Sequence, residues 1–387
     1  MTAREKASEA RSGERLAILT NTIAPYRVPI YGFLAQHFTT LILHGGKEQN
    51  RSWALRLPSS LREQKVWGFQ ISGKKVTGIP GVTDQTYIHL NIGLVWQLPL
   101  YRPAAVLSNE MGLRTLIALA YGKLASVPVW VWWGGTLHSE RKVSRGRRWL
   151  RSFIVRVAKR WISYGATSTE YLESIGVARE SILQIQNCVP QEAFLEAPNP
   201  ASKWFDNHPR PVILTVGQLI ARKGLDKLIE ACGRLAARGA TFSLVIVGQG
   251  PERERLEDLA RANHIVNFAI LPNQSQPVLN EIYRAADVFV FPTMEDVWGL
   301  VVNEAMWAGL PVLCSKYAGC ASELLPESNI FDPLSPESFD AALASVFEQT
   351  LAPPERSRLK TWQEVAAMID ESIKSRSPTF QSGNLYR

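Results

Sequence analysis

The stretch from Phe289 to Pro311 reads FVFPTMEDVWGLVVNEAMWAGLP and decides how the second half of the chain folds. An apolar run leads into an acidic loop with Glu295 and Asp296, and Gly299 precedes a helical composition that carries Glu304. Such a strand, loop and helix start offer free N–H groups and a positive dipole end to phosphate. A carboxylate within the helix accepts hydrogen bonds from ribose hydroxyls. The stretch predicts a nucleotide-sugar site. The alternative is a buried strand and an amphipathic helix with two solvated acids.

A second strand, loop and helix precede this stretch in PVILTVGQLIARKGLDKLIEACGRL, from Pro211 to Leu235. The apolar strand ends at Gly217, and Arg222, Lys223 and Gly224 stand just before the helical pattern. Two cations and a glycine at this point supply charge, N–H donors and close backbone approach, which are what a diphosphate needs. An exposed turn with two solvated cations is the alternative for this loop taken alone.

A third unit of the same kind, SLVIVGQGPERERLEDLARA, runs from Ser243 to Ala262. Its turn contains Gly248 and Gly250, but Arg253 stands where a G-x-G-x-x-G motif has its third glycine. The turn is therefore weak support for a dinucleotide site.

The segment IYRAADVFVFPT, from Ile282 to Thr293, leads into the acidic loop and is a fourth block. The order and spacing of the four blocks over residues 211–323 resemble the signature of glycosyltransferase family 4. The acid–seven residues–acid motif is followed by Ala-Met and a Gly-x-Pro turn, with Asp296 where most members have Glu. The loop NTIAPYRVP, from Asn21 to Pro29, resembles that of bacterial polysaccharide-type members. The resemblance implies an α/β fold of the GT-B type, with two Rossmann-like doubly wound domains facing a central cleft. It also implies retaining transfer of a sugar from a nucleotide diphosphate sugar to a hydroxyl.

The same resemblance implies roles for individual residues. Lys223 and Arg222 would stabilise the leaving diphosphate, Asp296 would hold the donor sugar, and Glu304 would hold the ribose. Gln218 stands where many members have Arg. The implied donor-binding residues are Gly217, Gln218, Gly248, Gly250, Glu295, Trp298, Gly299, Leu300 and Glu304. Lys223, Arg222 and helix N-terminal N–H groups can stabilise the leaving diphosphate without a metal, and no Asp-x-Asp motif is present to hold one, so we expect neither a metal nor another cofactor. The departing phosphate can accept the acceptor proton, so no enzymic base is required.

The first half of the chain offers three candidate site residues. His138 follows the predicted strand in VWVWWGGTLHSE, and in relatives with Trp-Gly-His the histidine would fall on Gly135. His138 is therefore a displaced catalytic candidate, and a surface histidine or a helix cap is the alternative. Arg27 and Glu110 follow other predicted strands and are acceptor-side candidates. For Arg27, a helix cap is the alternative.

The length of 387 residues exceeds what a single core accommodates, so we predict two domains. Residues 46–90 are polar and Gly-rich and give no clear assignment. The predicted organisation is a disordered tail at 1–15, an acceptor-binding domain at 16–205, a nucleotide-sugar-binding domain at 206–355, a helix at 356–374 crossing back to the first domain, and a polar tail at 375–387.

Charge is shared unevenly along the chain. Residues 1–210 hold 27 basic and 14 acidic residues, a balance of +13, whereas the remainder holds 16 basic and 21 acidic residues. The segment RKVSRGRRWLRSFIVRVAKRW, from Arg141 to Trp161, combines nine cations with apolar residues at helical spacing. Its apolar stripe either faces the core or rests on anionic membrane, as in many lipid-acceptor glycosyltransferases. Arg147, Arg148 and Arg151 are the candidates for membrane contact.

The composition of the chain indicates its cellular compartment and the classes of partner it binds. Four scattered cysteines without CxxC spacing favour reduced thiols in a cytosolic protein, and residues 1–15 lack the apolar core of a signal peptide. We expect a cytoplasmic protein that visits the cytoplasmic membrane face, with a nucleotide-sugar donor and a glycan or lipid-linked acceptor. No nucleic-acid module accompanies the basic segment. A sugar-nucleotide epimerase of the same fold and a non-catalytic sugar- or membrane-binding protein are the alternatives.

Overall fold

The computed structural model of the chain describes residues 13–46, 57–76, 83–195 and 204–377. The chain forms two compact units. Unit 1 takes the chain up to Asn187 together with the residues from Lys360 onward, and unit 2 is Cys188–Leu359. The sequence places the corresponding boundaries at 205/206 and 355/356. Most of both predicted tails lies outside the described residues, but Arg15 already belongs to the first strand and Ser375 to the last helix.

Unit 1 is built on seven parallel strands, whose side chains are apolar and buried in the central positions. The strands of this unit are β1 (Arg15–Thr20), β2 (Thr39–His44), β3 (Arg62–Lys65), β4 (Phe69–Val76), β5 (Thr83–Leu90), β6 (Ala105–Asn109), β7 (Val129–Trp133), β8 (Trp161–Ser163) and β9 (Ile182–Gln184). The sheet order is β3-β2-β1-β6-β7-β8-β9, and β4 and β5 form a separate antiparallel hairpin. Strands buried on both faces read as continuous apolar runs, as in VWVWW of β7.

In the described part of unit 1, five helices connect these strands. They are α1 (Val28–His37), α2 (Leu94–Tyr101), α3 (Leu113–Ala125), α4 (Arg145–Val157) and α5 (Ala166–Ser174). Their apolar residues join the strand residues in one core, in which Ile154, Leu172 and Trp161 are fully buried. Because α4 ends at Val157 and Ala158 is extended, Trp161 lies on β8. The predicted helical stripe is therefore too long by one position, since Trp161 faces the core from a strand.

Unit 2 repeats the architecture with six parallel strands. Its strands are β10 (Val212–Val216), β11 (Ser243–Val247), β12 (Phe268–Leu271), β13 (Val288–Phe291), β14 (Val312–Ser315) and β15 (Ile330–Phe331). Its helices are α6 (Glu192–Leu195), α7 (Leu225–Ala237), α8 (Arg253–Ala262), α9 (Gln276–Ala285), α10 (Leu300–Ala308), α11 (Ala321–Leu324) and α12 (Pro336–Phe347). The order β12-β11-β10-β13-β14-β15 is the doubly wound order of a Rossmann fold. The prediction of two Rossmann-like domains is confirmed.

The last helix, α13 (Trp362–Ser375), belongs to unit 1 although it follows unit 2 in the chain. It begins with a capping box between Thr361 and Glu364. It packs against α1, and the Trp130 indole N–H of β7 donates to the Ser372 hydroxyl at 2.9 Å. Ile369, with no exposed surface, shows that the helix completes the core of unit 1.

Candidate functional site

The strand order of each unit reverses once, and ligands of open α/β sheets bind at the carboxyl ends of the strands beside that point. In unit 2 the reversal lies between β10 and β13. The loops that follow these strands and β11 carry the donor-side residues expected from the sequence. They are Gly217, Gln218, Arg222, Lys223, Gly248, Gly250, Glu295, Asp296, Trp298, Gly299 and Leu300, with Glu304 one turn into α10.

Glycines allow these loops to pack backbone against backbone. A Cβ on Gly248 would stand 1.9 Å from the Gly217 carbonyl oxygen. A Cβ on Gly224 would stand 2.1 Å from the Pro292 carbonyl oxygen, and Gly224 has a left-handed φ of +65°. Both contacts exclude any side chain. The loops after the three central strands are therefore held together by close backbone approach.

Lys223 and Asp296 form an ion pair across this site. The Lys223 Nζ lies 2.6 Å from the Asp296 Oδ2, and the two side chains are 14% and 15% exposed. The ammonium also lies 5.1 Å from the centre of the Phe291 ring. Because the side chains come from the loops after different strands, the pair marks the place where those loops meet.

Hydrogen bonds fix both the side chain and the backbone of Asp296. Its Oδ1 accepts from the Trp298 backbone N–H at 3.2 Å, and its own N–H donates to the Tyr317 carbonyl. Burial by itself would raise the pKa of Asp296, but the charges of Lys223 and Arg222 and the hydrogen bond from Lys223 outweigh it. The pKa of Asp296 therefore lies below its usual range, and the group is a carboxylate at neutral pH.

Arg222 and Glu295 meet through the backbone. The Arg222 guanidinium donates to the Glu295 carbonyl at 3.1 Å, and the Met294 N–H donates to the Arg222 carbonyl at 2.8 Å. Thr293 donates from its hydroxyl to the Glu295 carbonyl at 3.2 Å. These bonds fix the acidic loop against the basic loop, so that Arg222 lies beside the Lys223–Asp296 pair.

Glu304 is the second acid of the site and has a different environment. The Tyr283 hydroxyl of α9 donates to its Oε2 at 3.0 Å. Burial raises the pKa of Glu304 to about 7, although the Tyr283 hydrogen bond works in the opposite direction. Burial and Glu304 together also raise the pKa of Tyr283 well above its usual range. The two acids of the motif therefore differ in charge state near neutral pH.

Trp298 and Gly299 contribute backbone to the site. Trp298 is 1% exposed, and its indole N–H donates to the Asn303 side chain at 2.9 Å, so the ring is a structural anchor. Gly299 precedes α10 with a φ of +106°, and a Cβ there would lie 2.7 Å from the Phe291 ring. The free N–H groups of the first turn of α10 therefore lie directly after the acidic loop, at the positive end of the helix dipole.

In unit 1 the strand order reverses between β1 and β6, and Glu110 lies at this point. Its carboxylate is 63% exposed, accepts from the Asn21 side chain at 3.0 Å and lies 3.7 Å from the Arg114 guanidinium. Glu110 has a φ of +69°, which costs a non-glycine residue about 1–2 kcal/mol. Strain of this kind accumulates at functional positions.

Arg27 follows β1 and is 5% exposed. Its guanidinium carbon lies 4.3 Å from the Trp132 ring centre and 5.2 Å from that of Tyr164. Among the described residues no carboxylate forms an ion pair with Arg27, and its Nε has no hydrogen-bond acceptor. Burial would lower the pKa of Arg27, but nearby Tyr26, Tyr31 and Glu110 outweigh it, and the pKa is raised. A buried guanidinium held by aromatic rings is an unusual feature at a sheet edge.

His138 lies in the turn after β7, also in unit 1. Thr136 and Ser139 exchange hydrogen bonds across this turn, and the His138 carbonyl accepts from Arg141. The turn is therefore fixed by its neighbours, and the His138 ring is half-buried.

The structure corrects part of the predicted membrane surface on α4. The Arg151 side chain is 11% exposed, because it lies 2.7 Å from the Glu140 carboxylate and stacks over Trp133. Arg147 is half-buried on the side of α4 that faces the core, whereas Arg148 is exposed. Arg151 is therefore an internal anchor of the turn that carries His138.

Three residues of these sites were not singled out from the sequence. Tyr283 is the hydrogen-bond donor to Glu304, and Asn21 and Arg114 hold Glu110. Tyr283 stands in a helix with no motif of its own, and Arg114 lies inside an apolar helical pattern. Only the packing of one element on another reveals them. Asn21 is the first residue of the loop NTIAPYRVP, and this position was the available signal.

Comparison with known proteins assigns unit 2. Residues 200–362 match the family described as Glycosyl transferases group 1. These residues are similar to a group 1 glycosyltransferase domain. The matched range contains the ion pair of Lys223 with Asp296 and the Glu304–Tyr283 hydrogen bond.

Relatives of the group 1 domain agree with this assignment. The chain is 33% identical over 146 residues to the amylovoran biosynthesis glycosyltransferase AmsK of Erwinia amylovora, covering 35% of this chain and 34% of that protein. It is 26% identical over 249 residues to a sulfoquinovosyl transferase of Arabidopsis thaliana, covering 60% and 46%. The alignments thus span less than half the length of these curated relatives.

Solved structures extend the likeness to the whole fold. The complex of Anabaena HepE with UDP superposes with a TM-score of 0.67 at 15% identity, covering 94% of this chain and 98% of that chain. Sucrose-phosphate synthase of Thermosynechococcus elongatus gives the same TM-score at 16% identity, covering 94% of each chain. The GT-B type of fold predicted from the sequence is confirmed.

Within the described ranges, no three His, Cys, Asp or Glu side chains are arranged to hold a metal ion. In the same part of the chain, every helix is too short or too polar to traverse a bilayer.

Proposed function

We propose that this protein is a retaining glycosyltransferase that moves a sugar from a nucleotide diphosphate sugar to a hydroxyl acceptor. The observation that carries the proposal is the Lys223–Asp296 pair at the strand-order reversal of a group 1 domain. A cation and a carboxylate at one point suit a donor whose phosphate is anionic and whose sugar offers hydroxyl donors.

The proposed reaction needs stabilisation of the leaving group above all. The bond between the anomeric carbon and the β-phosphate oxygen breaks, and the acceptor oxygen bonds to the same face of that carbon. The acceptor proton passes to the departing phosphate oxygen. Lys223, Arg222 and the first N–H groups of α10 supply the positive charge for the departing diphosphate. No protein base is required in this scheme.

Two acids divide the recognition of the donor in this proposal. Glu304 accepts from the ribose hydroxyls through the oxygen that Tyr283 leaves open. Asp296 accepts from the sugar hydroxyls and competes with phosphate for Lys223. HepE binds UDP and UDP-glucose, and a mycobacterial relative is named as GDP-mannose-dependent, so both bases belong in a first donor panel.

On the acceptor side we propose a substrate that carries an anionic group. Arg27 is buried without an ion-pair partner in the described chain, so a phosphate or carboxylate of the acceptor would compensate its charge. Glu110 is exposed and strained at the same sheet edge, and in this proposal its carboxylate accepts from the acceptor hydroxyl. His138 remains a candidate for contact with sugar or acceptor.

A lipid-linked acceptor fits these features and the outer face of α4. Trp149 and Phe153 are 71% and 46% exposed on that face, with ring centres 6.2 Å apart. Arg145, Arg148 and Arg156 surround the two rings and line a shallow cavity with them. Exposed aromatic rings ringed by cations are typical of helices that lie on anionic membranes. We propose peripheral docking at the cytoplasmic membrane face.

One assay separates this function from the alternatives. The protein is incubated with UDP- and GDP-sugars and membrane lipid extract, and both the nucleoside diphosphate and the nucleotide sugar are quantified. Transfer releases nucleoside diphosphate in step with glycosylated lipid, whereas an epimerase conserves the nucleotide sugar as an isomer. A donor that stabilises the protein in thermal-shift measurements yet is neither consumed nor isomerised would indicate a binding protein.

A further inference from the structure

A second cavity of unit 1 has no role in the proposed reaction. Its volume is about 400 Å³, and it lies between the C-terminal ends of α3 and α4, at the amino end of β7. The candidate residues Glu110 and His138 follow the carboxyl ends of β6 and β7. The cavity is therefore separated from that edge by the length of a five-residue strand, about 16 Å at 3.3 Å per residue.

The walls of this cavity combine two kinds of side chain. Leu119, Val127, Val129 and Val157 give it an apolar floor. Lys123, Arg156, Lys159 and Arg160 stand around it. A volume of this size is at the lower end of small-molecule sites, about 300–1,000 Å³.

The four cations have no carboxylate partner within the described chain. Arg160 is fixed in place, since it donates to the Arg376 carbonyl at 2.6 Å and lies 5.3 Å from the Trp130 ring centre. Burial lowers the pKa of Arg160, with no acid to offset the effect. The cavity therefore carries a concentrated positive charge, which no carboxylate of the described chain compensates.

The ends of α3 and α4 also meet here and carry partial negative charge. Each helix end corresponds to roughly half an elementary charge. Part of it is already satisfied, because the Val127 N–H donates to the Gly122 carbonyl at 2.9 Å. Four full positive charges therefore exceed the two partial negative ones, and the cavity attracts an anion.

The surroundings indicate that the anion belongs to an amphiphile. Arg156 lines both this cavity and the outer face of α4 with Trp149 and Phe153. Leu124, which follows the lining residue Lys123 in α3, is 88% exposed. The lining contains no aromatic ring on which a nucleobase would stack. A phosphate bound here would contact the cations, and the adjoining methylenes of the same molecule would cover the valines.

We propose that the cavity between α3 and α4 binds the phosphate headgroup of an anionic membrane lipid. The site is separate from the reaction centre and from general attraction to the membrane by the outer face of α4. The inference does not depend on the transferase activity, because no donor-site residue takes part.

The test uses the full chain and a short-chain phosphatidic acid below its micellar concentration. Calorimetry should show saturable binding of one lipid per chain. Inorganic phosphate and short-chain phosphatidylcholine should each bind at least about tenfold more weakly, because each provides only part of the recognised chemistry.

Two charge-matched variants locate the site. Lys123→Gln with Lys159→Gln should weaken binding of the short-chain lipid by about tenfold or more, because two of the four cations around the cavity are removed. Arg145→Gln with Arg148→Gln removes the same charge from the outer face and should leave this binding nearly unchanged. Unaltered thermal stability and nucleotide-sugar binding of both variants establish that they fold.

Three results would overturn the proposal. The first is phosphatidic acid binding no tighter than inorganic phosphate, and the second is equal loss in both variants, which indicates diffuse charge. The third is displacement of the lipid by an oligonucleotide at lower concentration, which indicates a nucleic-acid surface.

Discussion

At the scale of single residues, the proposed function depends on how Lys223 divides its charge between Asp296 and a bound diphosphate. In the free protein Asp296 neutralises it at 2.6 Å, and a bound diphosphate would share it. Lys223→Ala should reduce turnover by about 2–4 kcal/mol of transition-state stabilisation, because the contact strengthens as the leaving group gains charge. Steady-state kinetics should show kcat falling at least as much as donor affinity. Native turnover in this variant would show that Lys223 does not stabilise the leaving group.

The two acids of the motif should respond differently to amide substitution. Asp296→Asn removes the competitor for Lys223, so we expect nucleoside diphosphate to bind as tightly as before or more tightly while turnover falls. Glu304→Gln should weaken nucleoside diphosphate and nucleotide sugar alike, because both contain the ribose. Calorimetry on each variant checks this, and equal weakening of free nucleoside diphosphate by both changes would contradict the assignment of roles.

Glu304 also predicts a dependence on pH. Its pKa in the folded protein is about 7, raised by burial, against an ordinary 4.5. Because the pKa is raised on folding, Glu304 contributes its full stabilisation of the folded state below pH 4.5, and this contribution is lost as the pH rises through 7. The loss in the free energy of unfolding amounts to at most about 3 kcal/mol. Wild type should therefore lose stability relative to Glu304→Gln between these values in denaturant titrations. A constant difference between the two proteins across this range would contradict the raised pKa.

The same titration should appear in donor binding. Ionised Glu304 accepts hydrogen bonds better than the protonated acid, so nucleotide-sugar affinity should rise from pH 6 to pH 8. The diphosphate of a nucleotide sugar does not titrate in this range, which makes it the better probe. In Glu304→Gln the rise should be absent.

At the scale of elements, the sequence predicts what periodicity and loop chemistry encode. Strands β10 and β13, the start of α7 at Leu225 and the acidic loop before α10 follow from apolar runs that end in glycine or proline. The repeated alternation of strands and helices predicts that the strands of each sheet run parallel. These features are local, and each can be predicted from a few neighbouring residues.

Contacts between elements that are distant in the sequence cannot be predicted from a few neighbouring residues. The basic segment correctly predicts the helix α4, yet only the packing of Glu140 on Arg151 reveals that this cation faces inward. Sequence spacing places Arg148 and Arg151 one turn apart and cannot rank their exposure. The partner of Glu304 likewise comes from α9, which lies about twenty residues upstream.

The loop carrying Lys223 gives a prediction with an internal control. Gly224 and Gly239 both have left-handed φ, +65° and +83°, but a Cβ on Gly239 meets nothing within 4 Å. Gly239→Ala should therefore lose only the conformational cost of a left-handed alanine, about 1–2 kcal/mol of folding stability. Gly224→Ala should lose more folding stability than this and should also lose donor binding. Thermal melts with and without nucleotide sugar measure both effects. Equal losses would mean that the contact with Pro292 is unimportant.

The outer face of α4 predicts membrane binding that depends on charge. Replacing Trp149 and Phe153 by Ser, or Arg145 and Arg148 by Gln, should each reduce cosedimentation with anionic vesicles. Screening shortens the Debye length from about 10 Å at 0.1 M salt to 3 Å at 1 M, so the native binding should weaken accordingly.

The control for this experiment is Arg62→Gln with Lys65→Gln, which removes the same charge from the exposed edge strand β3. It should retain vesicle binding. Equal binding of the native protein to neutral and anionic vesicles would favour an acceptor in solution.

At the scale of the whole molecule, the chain leaves unit 1 and returns to it. Helix α13 buries Ile369 and Ile373 in unit 1. Ile369→Ala should cost about 2–5 kcal/mol through the cavity it leaves, and this cost should fall on unit 1. Hydrogen exchange resolved by segment should show the lost protection in α1 and β7, with unit 2 retaining both its protection and its nucleotide binding. Uniform loss in both units would contradict the assignment of α13.

Chain order has a consequence for synthesis on the ribosome. Unit 2 is complete once Leu359 has emerged, whereas unit 1 must wait for the residues up to Ser375 although most of it was made first. At about 5–20 residues per second, the wait after Asn187 is roughly 10–40 s. During that time the surface that α13 later covers on α1 is open to chaperones. The half of the protein translated first is therefore the half that finishes folding last.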